Sequence, residues 1–246
     1  MNLPLALAFF FSQDILPASA QLHWLAQQAG LVYFGAATDT PFQREREPWS
    51  AERHSRYKKI IRNPNEFGQT KPTNGQKWLF TEPYLRIFNF TETDIVTDEV
   101  ARKEGKLLRC HALVWHNQLA PWVEGKEWTK EELAEAIERY HGVFIDGIGM
   151  QGHFVAENHP SAEELKETMR GYIKLVDEVA ITELDVRIKL PIDEQKLQWQ
   201  KEAYQKVVEA CVKVRKCIGI TLWDIYDPFS WVPHYFPGDR EPLLWF

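Results

Sequence analysis

The sequence predicts an α/β fold of the (β/α)8 TIM-barrel type, incomplete here, with about six recognisable β/α units. Three observations predict it. Short, nearly continuous apolar runs alternate with helical patterns, as in a parallel sheet covered by helices. The later runs end in polar or aromatic residues: His111 and Trp115, Gln151 and His153, Glu183 and Asp185, Trp223 and Asp227. In β/α barrels the chemistry sits at the C-terminal ends of the strands. The competing fold, a doubly wound sheet, normally opens with a Gly-rich phosphate turn, and "FGAATDTPF" (34–42) has none.

The strand candidates are "LVYFGAATD" (31–39), "NEFGQTKPT" (65–73) and "KLLRCHALVW" (106–115), then "FIDGIGMQGHF" (144–154), "EVAITELDV" (178–186) and "CIGITLWDI" (217–225). Helical patterns fill the intervals at about 44–61, 92–104, 129–141, 161–175 and 194–214. Ser161 with Glu164, and Thr129 with Glu132, are spaced as capping boxes. A closed barrel of this type has eight strands, and between Trp115 and Phe144 there is room for one loop and one helix only.

The 246 residues suit one large domain. A net charge of −6 without a long basic run argues against a nucleic-acid partner. Residues 3–11 are almost wholly apolar and Ala18-Ser19-Ala20 is a small-x-small cleavage signal. Residues 1–20 therefore read as a signal peptide, too short to span a membrane, and 21–246 as a single catalytic domain of a secreted, extracellular protein. No other stretch is long enough for a membrane span. Asn89-Phe90-Thr91 is a glycosylation sequon. In an oxidising compartment Cys211 and Cys217 can close a short loop. Cys110, in an apolar run, reads as a buried free thiol. The wide Cys spacing and the lack of a His pair on one helix face do not suggest a metal site, and we expect a monomer without a cofactor.

Glu183 and Asp185 share one face of a strand, since side chains at i and i+2 do. Glu183 is the candidate nucleophile of a retaining glycosidase, which needs two carboxyl groups about 5–5.5 Å apart. His153 and Asp185 are placed to orient it and keep it ionised. A purely structural ion-pair network with Lys or Arg is the competing reading. Three clusters at strand ends combine aromatic walls with a few polar groups, as ligand clefts do. They are Asn74, Lys77 and Trp78; His111, Trp115, Gln118 and Trp122; and Trp223 and Trp231. Neither G-x-S-x-G nor a phosphate loop is present, which disfavours Ser hydrolases and NTPases.

Together, "FGAATD", "NEFGQTKPTNGQKW" with "TEP", "LRCHALVWHNQLAPWV", "DGIGMQGHF", "VAITELDVR" and "GITLWDIYDPFSWVP" resemble glycoside hydrolase family 10, the endo-β-1,4-xylanases, and most the secreted fungal members. The resemblance covers most of residues 22–236. It implies retaining hydrolysis of xylan and xylo-oligosaccharides, with Glu183 as nucleophile supported by His153 and Asp185. Asn74, Lys77, His111, Trp115, Gln118, Gln151, Trp223 and Trp231 match sugar-binding positions, and Cys211–Cys217 matches a family disulfide. One departure matters most. The family strand ending in "W-D-V-V-N-E", which supplies the acid/base Glu, has no match here, nor does the strand after it. The chain passes from "ELAEAIERYHGV" straight to "FIDGIGMQGHF". It is also short at its C-terminus, where "GDREPLLWF" stops at the start of the family's last helix. The expectation is a xylanase-type hydrolase impaired by the loss of its acid/base, with xylan binding without catalysis as the alternative. A chain opened at the gap is a third outcome, because two lost strands expose two sheet edges.

Overall fold

The computed structural model describes residues 20–38, 51–112, 115, 117–141 and 147–244. The expected signal peptide lies outside this range except for Ala20, as do residues 44–50 of the first expected helix. Six strands run parallel: β1 (Tyr33–Thr38), β2 (Gln69–Pro72), β3 (Leu107–Leu108), β4 (Gly147–Val155), β5 (Glu178–Lys189) and β6 (Cys217–Leu222). A short antiparallel β7 (Asp239–Arg240) adds to the far end of β5. The sheet order is β3-β2-β1-β6-β5-β4. The first parallel strand thus pairs with the last, as barrel closure requires, and among the described residues β3 and β4 do not pair.

After the first helix, which precedes β1, the helices follow the barrel rule of lying after one strand and before the next. They are α1 (Leu22–Gln28), α2 (Ala51–Arg62), α3 (Trp78–Thr81), α4 (Thr91–Val96, prolonged by a π turn over Thr97–Arg102), α5 (Pro121–Glu124), α6 (Lys130–His141), α7 (Ala162–Tyr172), α8 (Glu194–Lys213) and α9 (Val232–Tyr235). Both expected capping boxes form. Ser161 and Glu164 exchange side-chain-to-backbone bonds at the start of α7. Thr129 and Glu132 do the same before α6. The 20-residue α8 starts with the Asp193 side chain accepting from the Lys196 N–H. It lays Ala203, Tyr204, Val207 and Ala210 against the core that holds Val179, Ile181, Leu184, Ile220 and Leu222. Cys211 and Cys217 form a disulfide between α8 and β6.

The centre of the sheet is buried on both faces: every residue of β1 and β2 is buried. Close approach is made possible by Gly35. A Cβ there would lie 2.0 Å from Gln69 Oε1, which instead reaches past it to meet Thr221 Oγ1 at 2.8 Å. The edges behave differently. Leu107 and Leu108 in β3 are exposed, and Cys110 is exposed too, which corrects the expectation of a buried thiol. Among the described residues β3 pairs only with β2, over Leu107–Leu108, and no strand covers its outer side. On the opposite lip, Gly149 and Gln151 of β4 are exposed. A C-terminal strap packs at the C-terminal ends of β5 and β6, with Val186 N–H donating to Pro242 O (2.9 Å) and Leu243 N–H to Asp227 Oδ1 (2.9 Å).

Candidate active site

Glu183 sits in the middle of the buried run of β5 and is 4% exposed. A shift in the β4–β5 register at Met150/Gln151 sets Gln151 opposite Glu183 and His153 opposite Asp185. His153 then bridges the two acids: Nε2 lies 3.1 Å from Glu183 Oε2 and Nδ1 2.9 Å from Asp185 Oδ2. Trp231 Nε1 donates to the same Asp185 oxygen at 2.8 Å. The other Glu183 oxygen faces Lys71 Nζ at 3.4 Å and His111 Nε2 at 3.5 Å. Lys71 points into the barrel from β2, where it is fully buried. Its three donors meet Thr182 O (2.9 Å), His111 Nδ1 (3.3 Å) and Glu183 Oε1. Trp223 covers the group, 4.7 Å from Lys71 Nζ and edge-on to both His111 and His153.

These contacts fix the charges. Burial pushes the Glu183 carboxyl up, but the His153 hydrogen bond and the Lys71 charge pull it down harder, to about 2. Burial lowers His153, yet Asp185 and Glu183 raise it further, to about 9. Burial and Lys71 hold His111 down at about 3. Burial drags Lys71 down to about 7 against the pull of Glu183. At neutral pH, Glu183 is therefore a carboxylate, His153 an imidazolium and His111 neutral, with its Nε2 proton aimed at Glu183. NMR of ring-labelled His will show His153 titrating near pH 9 and His111 only near pH 3. Midpoints of both rings near the ordinary 6.5 would contradict the arrangement. The His153 charge stabilises the fold fully below pH 6.5, and that contribution is lost as pH rises through about 9.

A second group adjoins the first. Lys77 Nζ donates to Asn74 Oδ1 (2.9 Å) and Gln118 Oε1 (2.6 Å). It lies over the Trp115 ring at 4.1 Å and 5.9 Å from the Trp223 ring centre. Gln118 holds φ of 53°, a left-handed conformation that costs of order 1–3 kcal/mol in a non-glycine residue. Lys77, Trp78, Ala112, Trp115, Asn117, Gln118 and Leu119 line a narrow crevice of about 170 Å³ here.

The structure thus brings together Asn74, Lys77, Trp115 and Gln118 in one group, and His111, His153, Glu183, Asp185, Trp223 and Trp231 in the other. Gln151 stands exposed beside Glu183 in the ladder. Trp122 belongs elsewhere: it packs edge-on to Trp78 at 5.4 Å and donates to Glu82 O, so it serves a small satellite core. Lys71 was missed. Its signal was a lysine placed mid-run in an otherwise buried strand.

The described residues offer no second carboxyl facing Glu183 across an open cleft. Asp185 is fully buried and bound to His153 and Trp231. Glu82 is 1% exposed, with its oxygens accepting from Trp78 Nε1 (2.9 Å) and Arg86 N–H (2.6 Å). Glu124, Glu127, Glu131, Glu132 and Glu135 are exposed on the loop and helix after the cleft. Asp227 is raised by burial, and by nearby Glu241, Asp224 and Asp185, to about 8. It is a neutral acid at pH 7, but its free Oδ2 is shut away from solvent.

The family model described as "Glycosyl hydrolase family 10" matches in two stretches, residues 21–141 and 139–246. Endo-1,4-beta-xylanase A of Humicola insolens is 42% identical over 306 residues, spanning 90% of this chain and 81% of that protein. That aligned span exceeds the 246 residues present here, so the relative carries residues without a counterpart in this chain. The crystal structure of a GH10 xylanase from Bispora sp. MEY-1 with xylobiose superimposes with a TM-score of 0.78 at 26% identity, covering 90% of this chain and 92% of that one. Xylanase 10B of Thermotoga petrophila RKU-1 superimposes with a TM-score of 0.76 at 24% identity, covering 94% and 92%, a likeness of fold.

Proposed function

The chain belongs to glycosyl hydrolase family 10, and from that premise we propose that it is a retaining endo-β-1,4-xylanase-type hydrolase that keeps its nucleophile and lacks its proton donor. Its substrates in this reading are xylan and xylo-oligosaccharides. The observation that carries the proposal is the Glu183 carboxylate. It is ionised and oriented by His153 and Lys71, beside an aromatic and amide-lined cleft, and no described carboxyl stands opposite it. Trp115, Asn74, Lys77 and Gln118 hold the sugar chain: the ring stacks on an apolar sugar face, and the polar groups bind hydroxyls. Glu183 attacks the anomeric carbon, but the leaving oxygen departs unprotonated and no base activates water afterwards. General acid/base catalysis typically supplies about 10²–10⁴-fold, so hydrolysis of xylan is slow.

An activated substrate isolates the first step. Dinitrophenolate leaves a sugar without protonation, so the Glu183 carboxylate will displace it from C1 of dinitrophenyl β-xylobioside, and the resulting glycosyl ester will stall. Intact-mass and peptide mapping will show a xylobiosyl adduct on Glu183, azide will speed its turnover, and Glu183→Gln will abolish it. The connected group of Asn74, Lys77, Gln118 and Trp115 supports a second reading, xylo-oligosaccharide binding without any chemistry. Calorimetric binding with no adduct would favour that reading, and failure of both would sink both.

A further inference from the structure

The sequence contains one Asn-x-Ser/Thr sequon, Asn89-Phe90-Thr91, and the chemistry above makes no use of it. It lies in an unusual place. Tyr84, Leu85, Ile87, Phe88 and Phe90 are exposed by 69%, 51%, 59%, 47% and 48%, within seven consecutive residues. Phe88 and Phe90 stack in parallel at 6.0 Å and 11°, bracketing the exposed Asn89. The turn that displays them is well fixed. Tyr84 and Ile87 pair across it, the Arg86 N–H is held by the buried Glu82 carboxylate, and the Asn89 N–H donates to Thr81 O at 2.9 Å. Contiguous exposed apolar surface of this kind marks a site that something covers. The sequon lies within it, with Asn89 between the stacked Phe88 and Phe90.

We propose that Asn89 carries an N-linked glycan whose first sugars lie over this apolar turn. The Asn89 amide nitrogen attacks C1 of a lipid-pyrophosphate-linked oligosaccharide. The N–C1 bond forms, the C1–O bond to phosphate breaks, and the lipid pyrophosphate leaves as the amide gives up one proton. The apolar faces of the proximal sugars then rest on Phe88 and Phe90, while their hydroxyls meet water. The proposal rests on the export reading, which the apolar leader at 3–11 supports and with which the Cys211–Cys217 disulfide agrees.

Translation of the full chain with microsomes tests it independently of folding, because the transfer acts on the nascent chain. The expected product is protease-protected and shifted by one glycan, and endoglycosidase reverses the shift. Asn89→Gln and Thr91→Ala lose it completely, and Thr91→Ser keeps it. A protected, unmodified chain overturns the site. An unprotected chain overturns the export premise and the proposal with it. Coverage of the turn has its own readout. Removing the glycan from the secreted protein will increase binding of an apolar fluorescent dye, and Phe88→Ser with Phe90→Ser will remove that increase. Equal dye binding before and after glycan removal overturns the covering role.

Discussion

Insertion of the two family-type β/α units that have no match here, the first with a strand ending in Asn-Glu, between Tyr140 and Phe144, raises xylan hydrolysis by about 10²–10⁴-fold. The same insertion with Asn-Gln at that strand end restores the sheet without the gain. Reducing-sugar release measures both. The argument follows from what is already in place. Glu183 is held ionised at about 2 and the cleft residues Asn74, Lys77 and Gln118 are connected to one another. In the proposed reading a retaining mechanism needs a proton donor about 5–5.5 Å from Glu183, and none of the described residues supplies one. Equal rates for the Glu and Gln insertions would refute the assignment of the deficit to proton transfer. Rapid hydrolysis by the 246-residue chain itself would refute the deficit altogether.

His153→Ala destabilises the protein by about 3–5 kcal/mol, the usual cost of stripping one partner from a buried ion pair. His153 touches both Glu183 and Asp185, and Asp185 is fully buried. Without the imidazolium, two carboxyls two residues apart on one strand face are left with the Trp231 N–H and the Lys71 side, and the Glu183 carboxyl rises toward its ordinary value. Denaturant midpoints at pH 6 measure the loss. His153→Gln, which keeps a donor, recovers part of it and keeps the comparison interpretable if the Ala variant fails to fold. A cost under about 1 kcal/mol would show that the bridge between the acids is dispensable.

Six strands were legible because burial on both sheet faces writes apolar runs. The strand-end residues were legible because polar groups at the ends of such runs need partners. The lengths were not. The run at 106–115 became a two-residue strand, since strand length depends on a neighbour that sequence patterning takes for granted. Cys110 was misread for the same reason. Lys71 was hidden because its three acceptors come from residues 111, 182 and 183, which no local pattern connects to position 71. The strap at 239–243 was missed because its bonds go to Val186, Gln200 and Asp227, all distant in sequence. The shift of register at Met150/Gln151, which aligns His153 with both acids, is likewise a property of the pair of strands and of neither alone.

The order β3-β2-β1-β6-β5-β4 divides the polypeptide into two arcs, residues 20–141 and 147–244. They meet at the β1–β6 ladder, at the Gln69–Thr221 contact and at the Lys71–Glu183 pair. The Glu183 carboxylate belongs to one arc, and the Lys71 ammonium and His111 imidazole on one of its oxygens belong to the other. The full setting of that carboxylate is thus a product of docking between two pieces. Fragments severed between the arcs would regain it only by recombining, at a rate set by their concentrations.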